Sequence, residues 1–144
     1  MLPKTTTYAI QALAYVAINT KDTEYVPIGR MATDLGIPYH FLKRIVAKLA
    51  SEGMLRSFRS STGGVALAKD ASRITLFDVI ATVDDTTLFT ECLLGLPGCG
   101  EARQCPMHAV WAVERNRLRQ MFESTTVADL AGRVSRDGFR ISFS

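Results

Sequence analysis

A chain of 144 residues with 47 % hydrophobic and 22 % charged side chains has enough apolar surface for one compact domain and is too apolar for general disorder. It has no apolar run long enough to cross a bilayer, and Met1-Leu2-Pro3-Lys4-Thr5 lacks the charged-then-apolar order of a signal peptide, so a cytoplasmic location is expected. The net charge of +3 is unevenly spread: residues 1–70 hold nine Lys/Arg against five Asp/Glu, and residues 71–144 hold eight against nine.

The first predicted helix spans residues 6–19. It is rich in alanine and apolar on most sides, so it belongs between other helices or at a subunit interface. Pro27 opens a short second helix with Ile28, Met31, Ala32 and Leu35 on one face. Gly36-Ile37-Pro38 is a tight break, with glycine at a helix C-cap and a proline that cannot continue the helix before it. The next helix covers residues 39–52. Its apolar positions, Leu42, Ile45, Val46 and Leu49, repeat at i, i+3, i+4 and i+7, and Gly53 ends it.

Two short strands, 55–59 and 65–68, flank a turn-forming loop, Ser60-Ser61-Thr62-Gly63-Gly64. Thr75 and Asp78 have capping-box spacing and start a helix through Val83. Residues 84–104 show little periodicity. Pro106 sits just inside the start of a long helix reaching about Phe122, with an incomplete apolar stripe through Met107, Val110, Trp111, Leu118, Met121 and Phe122. Thr126 and Asp129 repeat the capping pattern before a last short helix, and residues from Arg136 onward read as a tail.

Helix, tight turn, basic amphipathic helix, two-stranded hairpin: that order is a winged helix-turn-helix in a mainly α fold. Packing the Leu/Ile/Val stripe inward leaves a polar face that can enter a major groove, where base edges are distinguishable. Tyr39, His40, Lys43 and Arg44, early on the helix, reach base edges; Lys48, further along, meets phosphate. The hairpin tip offers Arg59 with Ser60, Ser61 and Thr62, and narrow minor grooves attract arginine. The basic residues also fit a solvated patch, and winged helices also serve as protein-interaction modules.

All three cysteines fall in one stretch, Cys92-x6-Cys99-x5-Cys105-x2-His108, punctuated by Gly95, Pro97, Gly98 and Gly100. Stable disulfides are not expected in a cytosolic chain, so the cluster points to a metal site or a redox switch. Iron–sulfur clusters are held by thiolates on such loops, often with proline beside a ligand, and Pro106 follows Cys105. Three thiolates and the His108 imidazole make four ligands. The same residues suit a closed zinc site, although C-x2-C knuckles are missing. A metal-free thiol switch and inert buried cysteines are the other readings.

Taken together, these residues resemble the Rrf-type winged-helix transcriptional regulators, the family of the IscR- and NsrR-like iron–sulfur regulators. The likeness runs from Tyr8-Ala9 through Leu35-Gly36-Ile37, Phe41-Leu42, Gly63-Gly64 and Ile74-Thr75-Leu76 to Cys99-Gly100, Cys105-Pro106-x-His108, Trp111 and residues 126–130. It implies a homodimer joined through the long helix from Pro106, with two heads reading palindromic promoter DNA. It further implies that Cys92, Cys99 and Cys105 ligate a 2Fe-2S or 4Fe-4S cluster, with His108 at the histidine-ligand position, and that the helix from Tyr39 and Arg59 in the wing contact DNA. Lys43 stands where IscR-like members have an acidic residue used in base discrimination, and Arg59-Ser60 replaces the usual Arg-Gly.

The expected organisation is a DNA-binding domain over residues 1–83, a cluster-binding loop over 84–105, and a dimerisation helix with its tail over 106–144. The expected function is a repressor whose DNA affinity responds to iron–sulfur status, redox state or nitric oxide. An electron carrier would use the same cluster but leave the basic winged helix unexplained. An enzyme is not expected: there is no Gly-rich phosphate loop, and the two histidines form no nucleophile–base motif.

Overall fold

A computed structural model describes residues 2–20, 25–59, 63–84 and 86–141. The expected mainly α winged helix-turn-helix is present. The first helix, α1 (Lys4–Asn19), is its spine: Ala9, Ala12, Leu13, Ala14, Tyr15 and Val16 are all buried. The alanines leave room for close neighbours, and α1 packs against other helices and the second strand. The next two helices are α2 (Ile28–Leu35) and α3 (Tyr39–Ser51). Gly36 joins them at φ +68°, the left-handed conformation glycine adopts without strain, and Ile37 is buried beneath the turn. From α3, Leu42, Ile45, Val46 and Leu49 enter the core, as the spacing predicts.

The wing consists of β1 (Leu55–Ser57) and β2 (Val65–Leu67), antiparallel with Leu55 opposite Leu67 and Ser57 opposite Val65. Its ladder is shorter than expected on both strands. Beyond Ser57, Phe58 turns its ring towards Tyr25 at 5.6 Å while its N–H still reaches the Gly64 carbonyl at 2.8 Å. After Leu67, the Ala68 amide bonds the Met54 carbonyl. Val26 adds a third edge: its N–H and carbonyl exchange hydrogen bonds with Val65, both at 2.8 Å.

Both predicted capping boxes form. Thr75 and Asp78 close the first turn of α4 (Leu76–Val83) through two reciprocal bonds of 3.1 Å. Thr126 and Asp129 do the same for α6 (Val127–Asp137). The long helix, α5 (His108–Ser124), starts later than expected: Met107 occupies its N-cap position, and the His108 N–H bonds back to the Cys105 carbonyl at 3.1 Å. Pro106 therefore lies in the turn before the helix. The C-terminal helix also outlasts the expected tail boundary at Arg136, because its stop is Gly138, in the left-handed conformation at φ +73°.

Two cores result. Most buried residues, Val127 of α6 included, form one core around α1. A smaller one joins Leu76 and Ile80 of α4 to Phe122 of α5 through Phe89. Phe89 stands 5.4 Å from Phe77 and 5.7 Å from Phe122, and so ties the segment after α4 to the long helix. Residues 75 and 126 pair as an isolated bridge, so α6 returns to the head rather than trailing from it.

Candidate nucleic-acid interface and cysteine centre

The buried stripe of α3 forces its remaining side chains outward. Tyr39, His40, Lys43, Arg44 and Lys48 are all exposed, as is Arg59 in the wing. Apart from His40, they border two hollows on the surface. Tyr39, Lys43 and Arg59 line a single open cleft with Pro27, Ser57 and Gly63, between the start of α2, the outer face of α3 and the wing. Arg44 and Lys48 flank a separate hollow with Phe41 and Val83. The Arg44 guanidinium sits over the Phe41 ring at 5.4 Å, which fixes where its charge projects. Lys48 pairs with Glu52 at 3.4 Å, one helical turn on. Such an exposed pair is worth little and does not stop Lys48 from meeting a phosphate. His40 belongs to neither hollow. Ser60, Ser61 and Thr62 lie outside the described residues.

Gly64 positions the wing. A Cβ there would stand 2.2 Å from the Val26 carbonyl oxygen, so only glycine lets the two backbones approach and Val26 pair with Val65. The Gly63-Gly64 pair thus does more than turn the chain.

The three cysteines and His108 come together as their spacing suggests. The three sulfurs lie within 4.8 Å of one another. The sulfurs of Cys92 and Cys105 are 3.4 Å apart, and Cys99 Sγ is 3.8 Å from Nδ1 of His108. Gly95 and Gly98 adopt left-handed backbone at φ +68° and +71°, which lets a short loop wrap back on itself. Backbone N–H groups of the loop favour ionised sulfur. Those of Leu96, and less strongly Leu94, act with the Cys105 thiol to pull the Cys92 thiol down to about 7 against the opposing effect of burial. At Cys99 the Cys105 N–H also favours the thiolate, but burial and the two neighbouring thiols outweigh it, and the net shift is upward. A cation bound among the three sulfurs would favour the thiolate form of each.

Glu101 was not foreseen. Its carboxylate lies 3.2 Å from Nε2 of His108, so the ring presents one nitrogen to Cys99 and the other to a carboxylate. That is how ligand histidines are oriented. Nothing in the local pattern marks Glu101, because its partner is seven residues away across a loop. Trp111 and Arg115 were likewise unforeseen as loop contacts: both donate hydrogen bonds to carbonyls just before Cys92.

Known proteins resemble the chain over most of its length. Residues 2–133 match the family model described as Rrf2, iron-dependent transcriptional regulator. The HTH-type transcriptional regulator IscR of Klebsiella pneumoniae (strain 342) is 33 % identical over 123 residues, which cover 85 % of this chain and 74 % of that protein. An HTH-type transcriptional regulator of Aquifex aeolicus is 31 % identical over 96 % of each chain. Among solved structures, CymR, the global cysteine regulator of B. subtilis, superposes with a TM-score of 0.76 at 22 % identity, over 92 % of this chain and 96 % of its own. T. potens IscR gives 0.74 at 20 % identity, over 97 % and 92 %.

Proposed function

Because the chain belongs to the Rrf2 family of transcriptional regulators, we propose that it is a homodimeric repressor whose affinity for a palindromic promoter site is set by an iron–sulfur cluster. Cys92, Cys99, Cys105 and His108 hold that cluster. The observation that carries the reading is the meeting of three thiols and one imidazole at the base of α5. This donor set fits a thiolate-held metal group. The cluster supplies a reactive, oxidant- and nitric-oxide-sensitive centre, and this chain's residues supply the rest. Cys92 and Cys105 close the loop onto α5, and Glu101 holds His108 in a single orientation.

The output is the winged helix. α3 enters a major groove with Tyr39, His40, Lys43 and Arg44; Lys48 contacts phosphate, and Arg59, with Ser60, Ser61 and Thr62, follows the wing to the adjacent minor groove. Dimerisation uses α5. Its Val110, Val113 and Met121 are 61 %, 52 % and 47 % exposed, and they share one helical face at i, i+3 and i+11. An apolar stripe left in solvent on a long helix suits a second copy of the same helix. Half-sites on B-DNA lie about 34 Å apart, so a small rotation of two heads about α5 changes how well both fit. The proposed place of action is the cytoplasm; no helix among the described residues is long and apolar enough to cross a membrane.

A second reading has its own support. Around one tetrahedral ion with metal–sulfur bonds of about 2.3 Å, sulfurs stand about 3.8 Å apart, close to the spacing here. A single zinc-type ion would then replace the cluster. Anaerobic purification, an absorption spectrum, and iron, sulfide and zinc counts per chain separate the two. Visible charge-transfer bands with matched iron and sulfide are expected. A colourless protein holding one zinc would move the function to the second reading.

A further inference from the structure

The loop from Cys92 to Cys105 is tied to α5 at both ends, by different means. At its far end the chain itself runs into the helix, and the His108 N–H bonds the Cys105 carbonyl. At its near end two side chains of α5 reach back. Trp111 Nε1–H donates to the Glu91 carbonyl at 2.9 Å. Arg115 donates through Nη1 to the carbonyls of Thr90 at 3.3 Å and Glu91 at 3.1 Å. The two residues are four apart, so one face of the helix makes both contacts. The Glu91 carbonyl receives two donors, one of them charged, and a charge-assisted bond is the stronger kind. The next residue is Cys92, whose sulfur lies 3.4 Å from that of Cys105.

Building on the reading of this site as metal-holding, we propose that Trp111 and Arg115 are the positioning residues of Cys92. Neither is a ligand. They fix the backbone from which Cys92 presents its sulfur, so that all the ligands stand on one rigid base, the first two turns of α5. The same bonds run in reverse. A change at Cys92 on filling or emptying the site moves the Glu91 carbonyl, and Trp111 and Arg115 transmit it to the helix. A purely structural anchor would stabilise the metal-free protein and leave metal affinity otherwise untouched; a positioning clamp acts on the affinity.

The test uses the full chain, reduced and metal-free under anaerobic conditions, titrated with Co2+. Its thiolate charge-transfer bands report sulfur ligation whichever metal group the protein holds in the cell. Wild type is compared with Trp111→Phe, which keeps most of the ring and drops the N–H, and with Arg115→Met and Arg115→Lys. Both Trp111→Phe and Arg115→Met are expected to bind Co2+ about 10-fold more weakly, with unchanged melting of the metal-free proteins and partial rescue in Arg115→Lys. Wild-type affinity in both variants would overturn the clamp and leave the metal-site reading standing. Melting losses that account for the whole effect would also overturn it. Absence of thiolate bands in wild type would sink the metal-site reading, and the clamp with it. A second measurement needs no variant: the emission of the single tryptophan, followed on addition of spectroscopically silent Cd2+, should shift. Unchanged emission at full occupancy would contradict the coupling.

Discussion

At the scale of single residues, the two functional regions depend on contacts of different strength. Arg59 is exposed at the rim of the cleft that also holds Tyr39 and Lys43. The role proposed for it is electrostatic, so Arg59→Ala should weaken DNA binding, reduce its salt dependence and leave iron content unchanged; duplex titrations at two salt concentrations, paired with an iron assay, measure all three. Gly64 acts sterically. A Cβ would meet the Val26 carbonyl at 2.2 Å, whereas at Gly100 there is nothing within 4 Å. Gly64→Ala should therefore cost more than about 1 kcal/mol of stability, and Gly100→Ala little, in parallel urea melts. The sequence marked Gly64 only as turn-compatible, because a close backbone approach involves a partner nearly forty positions away.

Among the elements, the caps and the α1–α2 junction give the sharpest expectations. Thr126→Ala should lower stability by about 1 kcal/mol through loss of the α6 cap. The reciprocal partner, Asp129, is held below the ordinary carboxylate value by the Thr126 N–H, then by its hydroxyl. Stability from that bond is present above pH 3.8 and is lost as pH falls through the lowered value, so Asp129→Asn should flatten the acid limb of the melting profile. Across the core, Tyr15 of α1 donates its hydroxyl hydrogen to Asp34 of α2. Burial, and then the Asp34 hydrogen bond, push this phenol up to about 12. A raised value means that the contribution is complete below pH 10 and fades between 10 and 12. Tyr15→Phe should remove that alkaline loss, read by denaturation at pH 9 and pH 11.5. The helix pattern and both capping boxes could be read from the sequence, because periodicity and caps are local. Strand ends, the start of α5 and the end of α6 could not: Phe58 on Tyr25, the Cys105–His108 turn and Gly138 settled them.

For the molecule as a whole, the proposed metal-holding loop leads into the helix proposed to join two copies. The meeting of Cys92, Cys99, Cys105 and His108 was readable because all four fall within 17 residues, 92 to 108. What supports them, Glu101 on His108 and the Trp111–Arg115 clamp, emerges only once the loop folds back on α5. If the exposed face of α5 is the dimer seam, Val110→Glu with Val113→Glu should yield monomers in sedimentation and lower DNA affinity, while each head keeps its helical content. A dimer that persists in the double variant would move the interface elsewhere.

In the proposed regulator the state of the cysteine site sets DNA affinity. The most direct measurement takes one anaerobic preparation, divides it, strips the metal group from one half, and titrates both halves with the same palindromic promoter duplex at one salt concentration. The two binding curves should separate by at least about tenfold, corresponding to about 1.4 kcal/mol of coupling. Superimposable curves, with the metal group shown present in one sample and absent from the other, would contradict it.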